Sequence, residues 1–497
     1  MTDIAVAPVV SALRAAGLVV EVTGGLPDFV SGITDDSRTV QAGALFVAVR
    51  GSERDGHEFL AQAVAQGAVA AIVETGGRSD LPEILVRDGR RAAAIAAAVG
   101  YSNPVKLLRL AGVTGTNGKT TTVGILRHLL DDPAGSRRSA SMGTLGVLIG
   151  SEGKPIQGGS GLTTPGPIEL QRVFRLLADA GVAKVAMEVS SHSLDQRRVE
   201  GVSFHAAVFT NLTRDHLDYH GTMDEYRAAK AKLLEHLAPN GVAVINRDDT
   251  AWETLSAPAG AVSFAVARPD ADVHALDVRY GPRGSEWRLR MGTEARDVTL
   301  PLIGSFNVAN ALGAAAAAWV LDVPVSRIAA LLETIPQIPG RLEMLSDSPT
   351  VLRDYAHTPD ALERALDAVR PFTHRRLIAV FGCGGDRDRG KRPAMGRVAA
   401  ERADVVIVTS DNPRTEDPER ILDDIIGGMP RGTHERVADR REAIARALDI
   451  AGEGDLIVLA GKGHETYQIK GSTKYPFDER EIVRELLAER GAPPAKT

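Results

Sequence analysis

The sequence predicts an α/β protein of three domains built on mostly parallel sheets. Three observations lead there. Short β-branched runs recur along the chain, each followed by a glycine or polar loop and then a helical pattern. That alternation layers helices on parallel strands. A chain of 497 residues, at about 150 per domain, gives about three domains. Hydrophobic residues at 44% and charged residues at 25% match ordinary globular usage, which argues against disorder and leaves each domain a core to bury.

The first segment, residues 1–105, holds candidate strands at 44–51 (ALFVAVRG) and 68–74 (AVAAIVE), the loop DDSR at 35–38, and a helix through 58–66. Tyr101-Ser102-Asn103-Pro104 reads as a linker, because a residue before proline is biased away from helix. The second block, 106–339, has candidate strands at 108–113, 184–189, 205–212 and 241–246. It also carries β-hairpin material over 261–303 and an alanine-rich helix at 311–318. Pro336 and Pro339 break the chain, and Gly340-Arg341 opens a third block, 340–497, with strands at 377–382, 404–410 and 455–461.

Lys plus Arg number 58 and Asp plus Glu 64, a net charge of -6, which argues against a nucleic-acid partner. The single cysteine, Cys383, excludes an intrachain disulfide and a multi-cysteine metal site, and fits a reducing cytoplasm. It sits in a glycine loop and reads as a small packed residue rather than a nucleophile. Asp3 and Arg14 interrupt the pattern of a signal peptide, and no run of 18 apolar residues exists to span a membrane. A soluble, cytoplasmic location is the expectation.

Gly115-Thr116-Asn117-Gly118-Lys119-Thr120-Thr121 follows an apolar strand and opens an amphipathic helix. Glycines let the backbone wrap an anion, and the free N–H groups of the helix start favour phosphate. Lys119 would reach the β- and γ-phosphates and the Thr120 hydroxyl would ligate Mg²⁺. The usual first glycine of the pattern falls at Val113, flanked by Gly112 and Gly115. A glycine turn with a solvated lysine is the bland alternative. The strand–loop–helix context favours ATP.

Parallel α/β sheets hold ligands beyond the carboxyl ends of their strands. Glu188 closes one such strand ahead of Ser190-Ser191-His192, and Asn211 closes the next, ahead of Asp215-His216. Glu188 suits Mg²⁺, and His216 could ligate a second ion. Each alone is also consistent with a buried hydrogen-bonded group. In the helical stretch Asp224–Leu234, Lys230 shares a face with Tyr226, Leu233 and Leu234, while Lys232 lies about 200° further round. One lysine therefore tends inward and the other to solvent. From spacing, Lys230 either snorkels or, if buried, loses its proton or finds an anion.

These residues resemble the Mur ligases of peptidoglycan synthesis. The resemblance rests on GTNGKTT (115–121), MEVSSHSLDQRR (187–198), FTNLTRDHLDYHG (209–221) and YRAAK (226–230). GSFNVANALGA (304–314), GRLE (340–343), DYAHTPD (354–360), FGCGGDRDRGKRP (381–393) and GKGHE (461–465) continue it over nearly the whole chain. The resemblance implies ATP-dependent amide ligation by a UDP-muramoyl-binding N-terminal domain, a central P-loop ATPase and a Rossmann-like C-terminal domain.

It further implies that Lys230 takes up CO₂ as a carbamate and, with Thr120, Glu188 and His216, holds two Mg²⁺ ions, Lys119, Lys230 and His216 being the catalytic set. Asn307, Arg341, Asp354 and His357 match ATP contacts. Thr163, Thr164, Ser190, Gln196 and Arg198 match contacts to UDP-MurNAc-L-Ala-D-Glu, and Ser37, Ser52, Glu53 and Arg54 match the uridine pocket. Leu162 stands where related ligases often have Asn.

Asp411-Asn412-Pro413-Arg414 resembles the signature of ligases that add meso-diaminopimelate, with Arg387, Gly461 and Glu465 as further contacts. The chemistry is legible: Arg414 can clamp the distal carboxylate that lysine lacks. Asn-Pro alone would equally mark a turn. The implied partners are small molecules, the chain acts as a monomer, and closure of the third domain on the second gates the reaction. A lysine- or D-Ala-D-Ala-adding sister, folylpolyglutamate synthetase and a non-enzymatic ATP-gated scaffold are the rival readings.

Overall fold

The computed structural model describes residues 3–490 apart from 52–53, 133, 135–136, 159–160, 256–259, 431 and 433. The fold is mixed α/β with large, mostly parallel sheets. Packing divides it into two compact units: Met1–His274 with Arg290–Glu294 and Ala309–Leu331, and Ala275–Leu289 with Ala295–Val308 and Leu332–Thr497. Among the described residues no helix is long and apolar enough to cross a membrane.

The first unit begins with a five-stranded sheet in the order Val19–Thr23, Glu83–Val86, Ala70–Val73, Leu45–Val47, Ile33–Thr34. Its neighbours are parallel except for the first pair. Helices Val6–Ala15 and Gly89–Gly100 bury Val9, Leu13, Ala93 and Ala97 with Leu45 and Ile72. The expected helix over 58–66 begins as a 3-10 turn, Gly56–Phe59, before Leu60–Ala65. In the linker, Ser102 and Asn103 both adopt left-handed backbone, at φ 62° and 50°, and Pro104 opens another 3-10 turn.

The larger sheet of this unit runs Lys154–Ile156, Gly146–Ile149, Arg138–Gly143, Val182–Glu188, Arg109–Thr114, Phe204–Phe209, Leu237–Asn246, Ala261–Ala265. From Arg138–Gly143 onward every neighbour is parallel. Arg109–Thr114 is almost wholly buried between its neighbours, as its continuous apolar sequence requires. The helix Lys119–Leu130 that follows is buried from Thr120 through Leu130. Because the strands are parallel, the loops after Thr114, Gly143, Glu188 and Phe209 emerge at one edge.

The second unit holds a six-stranded sheet in the order Glu343–Asp347, Thr350–Asp354, Leu456–Ala460, Leu377–Phe381, Val405–Val408, Glu435–Arg436. Only the first pair is antiparallel. The chain passes from Thr350–Asp354 to Leu377–Phe381 around the intervening Leu456–Ala460. That is the strand-order switch where α/β sheets open a crevice. The segments after Asp354, Phe381, Val408 and Ala460 all emerge at its carboxyl edge. Cys383 is buried there against Met395, 3.6 Å away, and burial pushes its thiol up to about 12.

Beneath that edge lies a fully buried ion pair. Arg440 donates to Glu479 at 2.8 Å and to the Ala460 carbonyl at 2.9 Å, tying helices Arg440–Ile450 and Glu479–Glu489 to the strand end. Glu479→Ala would leave the guanidinium buried without its anion, at a cost of about 3–5 kcal/mol. Calorimetry should show a lower melting temperature for this variant and substantial recovery when both residues become leucine.

Candidate active site

The loop 115–118 is shaped by contacts that leave no room for larger residues. Gly115 has φ 147° and Gly118 φ 84°; a Cβ on the first would collide with the Thr210 hydroxyl and on the second with the Asn310 amide. The neighbouring strand end braces the loop from below. Thr116 N donates to Asn211 O at 2.7 Å and Asn117 N to Asn211 Oδ1 at 3.0 Å. Thr210 Oγ1 and Asn211 Nδ2 both donate to Asn117 O, at 2.7 and 3.1 Å. Lys119 Nζ lies over the loop carbonyls, 2.8 Å from Gly115 O and 2.7 Å from Thr116 O. Thr120 and Thr121 are buried at the helix start.

Lys230 reaches the same loop. The helix Met223–Ala231 starts at a capping box, Thr222 and Glu225 bonding each other's backbone N–H, which fixes where its later turns fall. Tyr226 and Lys230, one turn apart, are both buried. Lys230 Nζ is 2.8 Å from Gly115 O and 4.4 Å from the centre of the Tyr226 ring. Tyr226 OH is 3.2 Å from Thr116 Oγ1. Burial, and then the Lys119 charge, hold the Lys230 amine well below the usual lysine range. Lys232 is half-exposed and pairs with Asp195 at 2.7 Å, so the two lysines divide inward and outward as their spacing predicts.

An aromatic and imidazole cluster adjoins Tyr226. His192 stacks on Tyr219 at 4.3 Å and meets His216 at 4.8 Å and His220 at 5.3 Å. His216 adopts left-handed backbone, φ 53°, at the start of the short helix Leu217–His220. Its surroundings, and next the Lys119 and Lys230 charges against the opposing pull of Asp215, hold its imidazole below the ordinary value. Burial foremost takes His192 down to about 4. Both rings are therefore neutral near pH 7 and able to act as ligands.

Glu188 is buried where its strand ends. Its carboxylate accepts from Thr144 N at 2.8 Å and Thr144 Oγ1 at 3.1 Å, and Gly143 leaves the space it occupies. Thr144 Oγ1 in turn lies 3.4 Å from Thr163 Oγ1. Among the described residues, no three histidine, cysteine or carboxylate side chains converge as a ready-made metal site.

The residues matched to the UDP-linked substrate form one connected network. Thr164 Oγ1 donates to Glu188 O at 3.0 Å and accepts from Ser190 N at 3.1 Å. Arg198 donates to Thr164 O at 3.1 Å and to Gln196 Oε1 at 2.6 Å; Gln196 Nε2 donates to Tyr219 OH, which donates to Asp195. Arg90, at the start of helix Gly89–Gly100, donates to Gln196 O at 3.1 Å. Leu162 is exposed. The DDSR loop approaches this network, with Asp35 Oδ2 3.7 Å from a Cβ built on Gly166. Within that loop Ser37 Oγ bonds Gln62 Oε1 at 2.9 Å, so its hydroxyl is already engaged, and Arg54 is exposed. Ser52 and Glu53 lie outside the described residues.

Thr144, Tyr226 and Asn211 have structural parts here that the motif reading left unassigned. Asn211 and Tyr226 sit inside quoted motifs. Thr144, in MGTLG, carries no distinguishing local pattern.

In the second unit, Asp354 closes its strand and accepts from Leu342 N at 2.7 Å and Ala356 N at 2.8 Å. Crowding by the surrounding protein pushes its carboxyl up. The Arg341 guanidinium lies 4.8 Å above the Tyr355 ring, and His357 and His464 flank that ring at 4.7 and 5.3 Å. Asn307 is buried, donating to Ile303 O at 2.8 Å.

At the same sheet edge stands the 411–414 segment. Arg414, left-handed at φ 53°, donates to Gly385 O at 2.8 Å and forms a backbone bridge to Lys470. A Cβ on Gly384 would lie 2.9 Å from the Arg414 guanidinium and 3.8 Å from Arg387 Cγ, so both arginines flank one glycine. Asn412 is engaged through both atoms of its amide: Nδ2 donates to Glu465 at 2.8 Å, while Oδ1 accepts from Lys462 at 3.1 Å and Ile469 N at 2.9 Å. Gln468 donates to Asp411 O at 2.7 Å, and a Cβ on Gly461, φ 113°, would press on the Asp411 carboxylate at 2.6 Å. Pro413 is buried behind them. The Arg414 guanidinium and the Glu465 carboxylate thus share one small region, with the stem of Arg387 beside it.

Three family models match the chain in succession: Mur ligase family, catalytic domain over 29–101; Mur ligase middle domain over 113–318; and Mur ligase, glutamate ligase domain over 340–463. The chain is 46% identical over 477 residues to UDP-N-acetylmuramoyl-L-alanyl-D-glutamate--2,6-diaminopimelate ligase of Synechococcus elongatus, covering 93% of this chain and 94% of that one. A protein of the same name from Geobacillus kaustophilus is 44% identical over 480 residues, 94% and 96% of the two chains. A solved structure bearing that name superposes at TM-score 0.66 with 34% identity, over 95% of this chain and 98% of its own. MurF of Acinetobacter baumannii shares the fold at TM-score 0.67 and 21% identity, covering 98% of this chain and 99% of that one.

Gly115→Ala should displace the phosphate loop from Thr210 and weaken ATP binding at least about tenfold in calorimetric titration, a loss of about 1.4 kcal/mol or more.

Proposed function

The chain belongs to the Mur ligase family, and from that premise we propose how its residues perform the ligation. The protein is an ATP-dependent amide ligase that adds meso-2,6-diaminopimelate to UDP-MurNAc-L-Ala-D-Glu, a step of peptidoglycan synthesis. The observation that carries this reading is near-full-length likeness, at up to 46% identity, to ligases named for that reaction.

The D-glutamyl γ-carboxylate attacks the γ-phosphate of ATP, and ADP leaves. The resulting acyl phosphate is captured by the amine of diaminopimelate, and the tetrahedral adduct collapses to amide and phosphate. The loop 115–121 and the start of the helix that follows it receive the triphosphate, and Lys119 turns from the Gly115 and Thr116 carbonyls to the transferring phosphoryl. Thr163, Thr164, Ser190, Gln196 and Arg198 orient the muramoyl-peptide, with Ser37, Ser52, Glu53 and Arg54 at the uridine end. Asn307, Arg341, Asp354 and His357 serve the nucleotide. Their work is positioning, since no covalent enzyme intermediate is required.

Thr120, Glu188 and His216 fit Mg²⁺, offering hydroxyl, carboxylate and neutral imidazole donors. That set is short of anionic oxygen, which a carbamate on Lys230 would supply. The neutral Lys230 nitrogen attacks CO₂ through its lone pair, a C–N bond forms, and one proton leaves to solvent. A buried neutral amine facing the Lys119 ammonium then becomes an anion, turning the contact at Gly115 O into an attraction between opposite charges. Mg²⁺, when bound, supplies electrostatic relief for the crowded phosphate and carboxylate oxygens.

Arg414, seconded by Arg387, clamps the distal carboxylate of diaminopimelate, while Glu465 and Asp411 receive ammonium. Asn412 acts by holding Glu465. The functional domains are 1–105 for the UDP-muramoyl substrate, 106–339 for ATP, and 340–497 for the amino acid, in a cytoplasmic monomer.

Phosphate release should require ATP, the UDP-dipeptide and diaminopimelate together; turnover with lysine in its place would overturn the assigned amino acid. Arg414→Met should raise KM for diaminopimelate about a hundredfold, about 2.7 kcal/mol, with little change in KM for ATP. Protein equilibrated with ¹³C-bicarbonate should give a carbamate carbon resonance near pH 7 that Lys230→Arg abolishes. An unchanged spectrum in that variant would place the carbamate elsewhere.

A further inference from the structure

The first unit contains a cavity of about 420 Å³ at the edge of the larger sheet opposite the phosphate loop. Leu108 and Arg109 enter it from the start of one central strand, Ser203 and His205 from the start of the next. Since those strands are parallel, this edge lies at the other end of the sheet from the loops that follow Thr114 and Phe209. Its volume falls in the range of small-molecule sites.

We propose that this cavity binds a small carboxylic acid bearing an amide N–H and an apolar side chain. The acceptor is the first argument. Gln171, on helix Pro167–Asp179, is 1% exposed and lines the cavity, and among the described residues its amide oxygen has no hydrogen-bond partner. A buried acceptor left unpaired costs about 1–3 kcal/mol, and a donor arriving through the cavity removes that cost.

Charge is the second argument. Lys106 and Arg109 line the cavity and, among the described residues, no acidic side chain does. The Lys106 side chain makes no ion pair or hydrogen bond among the described residues, whereas Arg109 is held in place by Asp322. His205 Nδ1 accepts from Leu110 N at 3.3 Å, which leaves the proton on Nε2 as a further donor. An anion with its own N–H therefore satisfies both walls.

The third argument is apolar. Leu107 is 58% exposed beside Lys106, an unusual degree for a leucine at a cavity mouth. The segment that presents both residues is set by the left-handed Ser102 and Asn103, backbone that non-glycine residues adopt at a cost and that is common at ligand clamps.

N-acetyl-L-leucine carries all three features and is the probe. Titrated into the full-length protein and followed by calorimetry, it should bind saturably with Kd below about 5 mM. Gln171→Met should weaken it about tenfold without lowering the melting temperature, because an orphaned acceptor has been removed. Lys106→Gln should weaken it about fivefold, and N-acetyl-L-leucinamide, lacking the carboxylate, should bind wild type and Lys106→Gln equally weakly. Both variants should retain full phosphate release. No saturation up to about 10 mM, or wild-type affinity in Gln171→Met, would overturn the proposal, as would a soaked crystal with water alone on the Gln171 oxygen.

Discussion

A single carbonyl oxygen organises the phosphate edge of the first unit. Gly115 O accepts from Lys119 Nζ and Lys230 Nζ, each at 2.8 Å, and Lys230 is 1% exposed. Two full ammonium charges on one acceptor repel, and out of water that repulsion is weakly screened. One lysine must lose its proton or change its chemistry, and burial singles out Lys230. Other local features hold that confrontation in place. Gly115 presents its carbonyl because no side chain fits beside Thr210, and the Thr222 cap fixes the helix that delivers Lys230.

The second unit solves a different problem with similar means. The proposed recognition of a zwitterion needs fixed cations and a fixed anion close together without collapse into one another. Arg414 is kept apart by its left-handed backbone and its bond to Gly385 O, and Glu465 is kept by Asn412 and Lys462. The Arg440–Glu479 pair, bonded to Ala460 O, anchors the strand end just ahead of Gly461. The positions of Arg414 and Glu465 thus depend on residues well below the surface.

Much of this was legible in the sequence, and the exceptions have physical causes. The interior strands 109–114, 204–209, 377–381 and 456–460 announce themselves because both faces are buried and the runs are apolar. Arg138–Gly143, RSASMG, has little intrinsic strand preference and exists because Val182–Glu188 pairs with it. Val19–Thr23 is short and partly exposed, so its pattern is weak. Within the site, helical spacing alone separated Lys230 from Lys232. Spacing could not show that Ser37 is engaged with Gln62 or that Asn412 is engaged on both faces of its amide. Those bonds join residues 25 and 53 positions apart. The connection of Glu188 to Thr144 is likewise a tertiary fact.

The closed bonding of Asn412 has a consequence for attempts to re-engineer the amino acid that is added. Because both atoms of its amide are engaged, Asn412 braces the loop from the middle of the Asp411–Arg414 motif. Grafting a whole tetrapeptide from a ligase of other preference would cut the strut under Glu465 along with the clamp. A redesign that leaves Asn412 in place and varies its neighbours explores new substrates while the loop keeps its shape.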